Sequence, residues 1–175
     1  MTIEREDLIV AIGAVVAVIL QLIVAPNVIL FQAVPNFLLA YVLVVAIARP
    51  REAGSVLPFL LGLAYDLLGT GPVGGMALLF VIASYLAARA FTVLDNDTLF
   101  MPLTILVVAT FLVEMLYGGL LILLGLPVSP LDALLYRALP CALYDCVFAL
   151  IMYPVMVRLL VGGSQDRGLR TPHLR

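Results

Sequence analysis

Residues 58–79 read PFLLGLAYDLLGTGPVGGMALL, and the predicted fold is built around this segment. An apolar segment with one carboxylate, Asp66, leads into a turn rich in glycine and proline, and a second apolar segment follows. Glycine and proline at this density favour a tight turn, so the pattern predicts two antiparallel helices. A carboxylate inside an apolar run of membrane length is costly unless it faces protein or water. Asp66 is therefore a candidate functional residue, together with the turn glycines Gly69, Gly71, Gly74 and Gly75.

The composition indicates an integral membrane protein. Of the 175 residues, 65% are hydrophobic and 11% are charged, and the mean hydropathy is +1.22. In a soluble domain about a quarter of the residues are charged, so a lipid bilayer is the solvent predicted for most of this surface. All nine basic residues are arginines, and their only cluster lies in a short tail. Nucleic-acid binding is therefore not expected.

The hydropathy pattern predicts an all-α, polytopic protein with six transmembrane helices. Residues 1–161 are expected to form a single six-helix domain, and residues 162–175 a polar cytoplasmic tail. Apolar runs of about 20 residues are long enough to span a bilayer, although the third and fourth runs are short. The predicted spans are residues 8–25, 37–48, 55–68, 73–90, 99–124 and a sixth that begins after residue 132 and ends near residue 160.

The arginines predict the orientation of the chain. They lie at the N-terminus, between the second and third spans, after the fourth span and at the C-terminus, whereas the other three loops contain none. Cytoplasmic loops carry an excess of basic residues, and an even number of spans places both ends on one side. We therefore predict that both termini are cytoplasmic. The arginines concerned are Arg5, Arg49, Arg51, Arg89 and Arg158.

Four ionisable side chains lie well inside apolar runs: Asp66, Glu114, Arg137 and Asp145. Counting residues along the helices at ~1.5 Å each places Asp66 and Arg137 at similar depths, so the two are candidates for an ion pair. Glu114 and Asp145 both fall near the middle of the membrane and would not both be ionised if they were adjacent. These groups are compatible with structural pairs between helices, with contacts to a partner's membrane helix, or with a ligand or ion site.

Enzyme chemistry has little support in the sequence. The single histidine, His173, lies in the tail, so no histidine-based triad or His/Cys metal site is expected. The run from Gly71 to Gly75 lacks the lysine of a phosphate-binding loop and is interpreted as a turn. We expect no catalytic, metal or cofactor site.

Several short motifs together resemble the rod shape-determining protein MreD family. A proline–asparagine pair opens the second span, arginines follow that span, a glycine–aspartate–glycine pattern occupies the third span, and the fifth span contains an acidic residue. The resemblance covers nearly the whole chain, and the length and the six predicted spans also match. The residues that carry it are Pro35, Asn36, Gly62, Asp66, Gly69, Gly74 and Glu114.

The resemblance implies a non-enzymatic component of the bacterial cell-elongation machinery in the inner (cytoplasmic) membrane. Such a protein binds MreC and through it is connected to the class B transpeptidase, the RodA polymerase and the MreB filament, and so to peptidoglycan synthesis and cell shape. The resemblance also implies a fold similar to the S-components of energy-coupling-factor transporters.

Two other functions stay open at this level. An S-component-like protein would bind a vitamin or another small molecule for uptake near the outer face, through groups such as Asp66, Tyr117 and Arg137. An ion-coupled transporter would use Glu114 and Asp145. We expect the adaptor function, with a partner surface on the third and fourth spans around Asp66 and residues 69–75.

Overall fold

The computed structural model describes residues 5–28, 34–69, 71–94, 100–125 and 139–165. These residues form six α-helices and one short 3-10 turn, Ala25–Asn27, and contain no strand. The predicted all-α class is therefore confirmed, and five of the six helices begin and end within three residues of the predicted bounds. The helices are α1 Arg5–Ile23, α2 Phe37–Ala48, α3 Val56–Leu68, α4 Gly75–Val93, α5 Phe100–Leu123 and α6 Leu139–Gln165.

Helix α2 lies at the centre of the bundle and contacts each of the other five helices. Nine of its twelve residues are buried, among them Leu38, Tyr41 and Leu43, which are fully inaccessible. A helix that is apolar on all sides is surrounded by protein or by lipid, and α2 is surrounded by protein. The remaining helices surround it, with α3 against α4, α4 against α5, and α5 against α6.

The outer surface of the bundle is apolar. Large side chains such as Ile12 on α1, Leu86 on α4, Leu116 on α5 and Leu143 on α6 are each more than half exposed. Exposed apolar area on this scale is not sustained in water. It is the surface expected of helices that face lipid acyl chains.

Four helices are long and apolar enough to cross a membrane, namely α1, α4, α5 and α6. Helices α2 and α3 have only 12 and 13 residues, which corresponds to ~18–20 Å at 1.5 Å per residue. The hydrocarbon core of a bilayer is about 30 Å thick. Of the six predicted spans, four therefore have the length needed to cross a membrane. The other two, α2 and α3, are shorter than the hydrocarbon core is thick.

Candidate functional site

Asp66 joins the end of α3 to the start of α4. Its Oδ2 atom accepts hydrogen bonds from the backbone N–H groups of Gly74 at 2.8 Å and Ala77 at 3.2 Å, and its Oδ1 atom accepts one from Met76 at 3.2 Å. The first N–H groups of a helix have no partner within the helix, and a negative charge there is favoured by the helix dipole. The carboxylate of Asp66 is only 3% exposed. It therefore caps α4 from the preceding helix.

The glycines around Asp66 permit the close approach of α3 and α4. A Cβ atom at Gly62 would lie 2.5 Å from the Cα of Ala77 and 2.8 Å from the carbonyl oxygen of Met76, so backbone would meet backbone. Gly74 has a φ of +98°, in the left-handed region that favours glycine.

Two further turn glycines lie against α5. A Cβ at Gly71 would overlap the hydroxyl of Tyr117, and one at Gly75 would lie 2.9 Å from Leu120 Cδ2. The structure thus explains Gly62, Gly71, Gly74 and Gly75 by packing and turn geometry. Gly69 differs, because it is exposed and a Cβ there would come no closer than 3.4 Å to its neighbours, namely to the carbonyl oxygen of Tyr65.

An ion pair between Asp66 and Arg137 was predicted, but Arg137 lies outside the described ranges. On the described side of the pair, both carboxylate oxygens of Asp66 already accept backbone hydrogen bonds. The capping geometry therefore accounts for the burial of Asp66 without an arginine. The ion pair stays a prediction.

A second buried polar cluster lies at the start of α2, and we refer to Asn36, Glu114 and Asp145 as the α2 cluster. The Asn36 side chain accepts a hydrogen bond from Leu39 N–H at 3.0 Å and so caps α2. Its Nδ2 atom donates to Glu114 Oε1 at 3.5 Å, and its backbone N–H donates to Asp145 Oδ1 at 2.7 Å. Glu114 and Asp145, which lie 78 and 109 residues from Asn36 in the sequence, thus meet Asn36 at the start of α2. Pro35, also buried, precedes this cap.

Gln21 on α1, which was not among the candidate residues predicted from the sequence, completes the polar contacts at this helix end. Its Oε1 atom accepts from Phe37 N–H at 2.9 Å, and its Nε2 atom donates to the carbonyl oxygen of Pro35 at 3.1 Å. Its position in the sequence could have identified it, since it is the only polar side chain in the apolar run of residues 8–25. A lone amide in such a run indicates a backbone partner, because an unpaired polar group is costly in lipid.

The opposite end of α2 carries a charged network. Arg49 Nη1 lies 3.1 Å from Asp7 Oδ1, its Nη2 lies 3.7 Å from Glu6 Oε2, and the same Nη2 also pairs with Glu52. Partial burial acts to lower the pKa of Arg49, but the hydrogen bond to Asp7 and the charges of Glu52, Asp7 and Glu6 raise it by more. A cation at the end of a helix is also favoured by the helix dipole. The network connects the start of α1 to the end of α2.

Replacing Arg49 by methionine is expected to lower the stability of the purified protein by about 1 to 2 kcal/mol, because three carboxylates then lose their shared cation. The loss should shrink at high salt, which screens partly exposed charges. Thermal unfolding in detergent at low and high sodium chloride measures both effects. Arg51→Met is the matched control, since Arg51 is exposed and forms no ion pair with the described residues. Equal losses for the two variants would contradict the network's role.

An apolar groove runs along the outer side of α4 and α5, with a volume of about 310 Å³. Its walls include Leu79, Leu86 and Ala90 on α4 and Val108 and Leu116 on α5. From residue 79 to residue 94 the groove extends ~22 Å along the helix axis at 1.5 Å per residue. Its one hydroxyl-bearing residue, Thr104, donates its hydrogen bond to the carbonyl oxygen of Phe100. The groove offers apolar contact area and no free hydrogen-bond donor.

The described residues contain no group of three or more His, Cys, Asp or Glu side chains that could hold a metal ion. The two cysteines, Cys141 and Cys146, are not joined in a disulfide, and Cys141 donates a hydrogen bond to the carbonyl oxygen of Val34. The buried polar side chains Asp66, Asn36 and Gln21 contact backbone at helix ends. These three side chains thus connect neighbouring elements of the bundle.

These features define a class: an integral membrane bundle of transmembrane helices whose buried polar groups fix helix ends. The model of the rod shape-determining protein MreD family matches residues 5–161, which is nearly the whole chain. The chain therefore belongs to the MreD family, and the resemblance found in the sequence is confirmed. The family implies a role in rod shape determination. No curated protein and no solved structure matches the chain.

Proposed function

We propose that this protein is a non-enzymatic scaffold of the bacterial cell-elongation machinery that binds the membrane helix of an MreC-like protein. Through that partner it would connect to the class B transpeptidase, RodA and MreB, and thereby to peptidoglycan synthesis. The observation that carries the proposal is the family match over residues 5–161. The family implies the shape-determining role. The proposal adds a specific partner and the surface of this chain that binds it.

The charged network supports the proposed topology, in which the chain crosses the inner membrane six times with both termini in the cytoplasm. Arg49 brings the start of α1 and the end of α2 to one side through Glu6 and Asp7. Arginines 5, 49 and 51 therefore gather at the same end of the bundle, as the positive-inside tendency requires of a cytoplasmic face. A fold similar to the S-components is part of the same proposal.

The partner surface is proposed to be the groove between α4 and α5. The sequence pointed to the third and fourth spans, but Asp66 and Gly62 face inward and are engaged between α3 and α4. The outward face of α4, which lines the groove, stays available to a partner. Small side chains lower both walls of the groove and allow close approach of a helix backbone. They are Ala83, Ala87 and Ala90 on α4 and Ala109 on α5.

The length of the groove favours a membrane-spanning helix as its occupant. One leaflet contributes about 15 Å of the ~30 Å hydrocarbon core, and the groove is ~22 Å long. The groove is therefore longer than one leaflet is thick. A single transmembrane helix contacts such a groove along its whole length, whereas a lipid chain from one leaflet does not.

Filling the groove is expected to abolish partner binding. Ala90→Phe and Ala109→Phe place an aromatic ring on the two half-buried walls, and each should reduce co-purification of a co-expressed MreC-like protein at least tenfold, a loss of about 1.4 kcal/mol or more. Ala11→Phe is the matched control, because Ala11 is exposed on α1 and lies outside the groove.

The amount of partner retained per scaffold chain in detergent measures the effect. Unchanged thermal unfolding of the three variants alone shows that they are folded. Retention of the partner by both groove variants would exclude the groove as its binding surface.

The small-molecule function gains no specific support from the described residues. Of the three groups expected to build such a site, Asp66 is engaged by three backbone N–H groups and Tyr117 is 4% exposed beside the turn. Arg137 lies outside the described ranges.

A further inference from the structure

A partly polar pocket of about 250 Å³ lies at the end of the bundle where the end of α2 meets the start of α1. Helices α1, α2, α3 and α4 and the loop between α2 and α3 all contribute to its walls, and we refer to it as the Arg49 pocket. Apolar side chains line most of it, among them Val10, Val42, Val45, Val56 and Leu57, and its polar side chains are Asp7, Arg49, Glu52 and Ser84.

Two polar groups of the Arg49 pocket are buried and have no partner among the described residues. Ser84 is 4% exposed and lines the pocket from α4, and none of the hydrogen bonds between described residues involves its hydroxyl group. The Nε–H group of Arg49 is a buried donor without an acceptor in the same part of the chain. A buried polar group without a partner is costly, so these two groups favour a ligand that carries hydrogen-bond acceptors.

The charges around the pocket favour a ligand that also carries a cation. Arg49 pairs with the three carboxylates of Glu6, Asp7 and Glu52, so one positive and three negative formal charges leave a net charge of −2. This excess repels a simple anion such as inorganic phosphate and attracts an ammonium group. A zwitterionic ligand satisfies both conditions, because it supplies acceptor oxygens and an ammonium group together.

The size and position of the pocket favour the headgroup of a membrane lipid. At the ~30 Å³ that a water molecule occupies in the liquid, the volume accommodates about eight non-hydrogen atoms, which matches a phosphoethanolamine group. Val56, which lines the pocket, is 69% exposed and belongs to the apolar outer surface. The pocket therefore borders the region of the acyl chains, at an end of the bundle where headgroups meet a protein that spans the bilayer.

We propose that the Arg49 pocket binds the headgroup of a zwitterionic phospholipid that carries a primary ammonium group, as in phosphatidylethanolamine. The phosphate oxygens accept hydrogen bonds from the Ser84 hydroxyl and from Arg49 Nε–H, and the ammonium group donates to the carboxylates of Asp7 and Glu52. The acyl chains lie outside the pocket, beside Val56. Because four helices line the pocket, the bound lipid connects them at this end of the bundle.

Thermal unfolding of the full-length protein in detergent, supplied with one lipid at a time, tests the proposal. Phosphatidylethanolamine is expected to raise the midpoint with an apparent affinity at least roughly tenfold higher than that of two other lipids with the same chains. These are phosphatidylcholine, whose trimethylated amine donates no such hydrogen bond, and phosphatidylglycerol, which has no amine. Equal stabilisation by the three lipids, as expected of lipid that only surrounds the bundle, would overturn the proposal.

Free phosphoethanolamine distinguishes a lipid site from a site for a soluble ligand, because it has the same polar groups and no acyl chains. It should bind at least roughly tenfold more weakly than the lipid, since burial of apolar chain surface contributes to lipid binding. Binding of free phosphoethanolamine as tight as that of the lipid would contradict a lipid site.

Two variants test whether the lipid binds in the Arg49 pocket. Ser84→Ala removes one hydroxyl group and should weaken the binding of phosphatidylethanolamine by roughly threefold to tenfold. Ser55→Ala is its matched control, because Ser55 is exposed, does not cap α3 through its side chain and lies outside the pocket. Ala53→Leu fills the pocket and should abolish the preference for phosphatidylethanolamine over phosphatidylcholine, with the exposed Ala11→Leu on α1 as its control.

Unfolding midpoints of the lipid-free variants close to that of the wild-type protein show that the variants are folded. Wild-type affinity for phosphatidylethanolamine in both Ser84→Ala and Ala53→Leu would exclude the Arg49 pocket as the lipid site. These measurements use the chain without its proposed protein partner, so their outcome is independent of the scaffold function.

Discussion

Replacement of Asp66 by alanine is expected to lower the unfolding midpoint of the purified protein by roughly 10 to 20 °C. The carboxylate accepts three backbone N–H groups at the start of α4, two of them on the buried residues Met76 and Ala77. Each buried donor left unpaired costs about 1 to 3 kcal/mol. Differential scanning fluorimetry in detergent measures the shift.

The control for this variant is Asp7→Ala, which removes a carboxylate from an exposed ion pair on α1. Exposed pairs contribute about 0 to 1 kcal/mol, so its midpoint should move by no more than ~4 °C. Asp66→Asn keeps one acceptor oxygen and should fall between the two. An unfolding midpoint of Asp66→Ala equal to that of the wild-type protein would show that the carboxylate does not cap α4.

Substitution of Gly62 by leucine is expected to prevent α3 from packing on α4 and to cost about 3 kcal/mol or more. The first added atom would already lie 2.5 Å from the Cα of Ala77, and a backbone atom cannot move aside as a flexible side chain can. The yield of monodisperse protein and the unfolding midpoint are the measurements. Gly62→Ala should show the same effect at reduced size.

Gly119→Ala on α5 is the matched control, because a Cβ there would meet no atom within 4 Å. Alanine exceeds glycine in helix propensity by about 1 kcal/mol, so this variant should be as stable as the wild type or slightly more so. If Gly62→Leu were as stable as Gly119→Ala, the described contact between α3 and α4 would be wrong.

The helices themselves were predictable because apolar runs and their interruptions are local features of the sequence. The predicted bounds of the second helix, residues 37–48, are those of α2, and Pro35-Asn36 does open it, with Asn36 as the cap. The third and fourth spans were expected to be short, which holds for α3 with its 13 residues, whereas α4 has 19 residues and is long enough to cross a membrane. What the run lengths did not show is that α2 is the central helix of the bundle, since that depends on contacts with all five others.

Asp66, Glu114 and Asp145 are buried in the structure, but the sequence did not reveal the backbone groups that two of them contact. For Asp66 these are three N–H donors at a helix start eight to eleven residues further on, while its predicted pairing with Arg137 stays a prediction. Glu114 and Asp145 were placed at similar depth, and the structure brings both to Asn36. These contacts join residues 78 and 109 positions apart, so neither periodicity nor spacing could reveal them. Gln21 was missed because an amide carries no charge and leaves the hydropathy of its run high.

Native mass spectrometry of the chain, purified in detergent with and without a co-expressed MreC-like protein, tests whether the protein is a scaffold that binds this partner. We expect a stoichiometric complex of the two proteins and, for the chain alone, a mass that corresponds to the polypeptide with at most lipid adducts. A chain that never carries the MreC-like partner, and that instead retains a defined small molecule, would contradict the scaffold function and favour the S-component-like alternative.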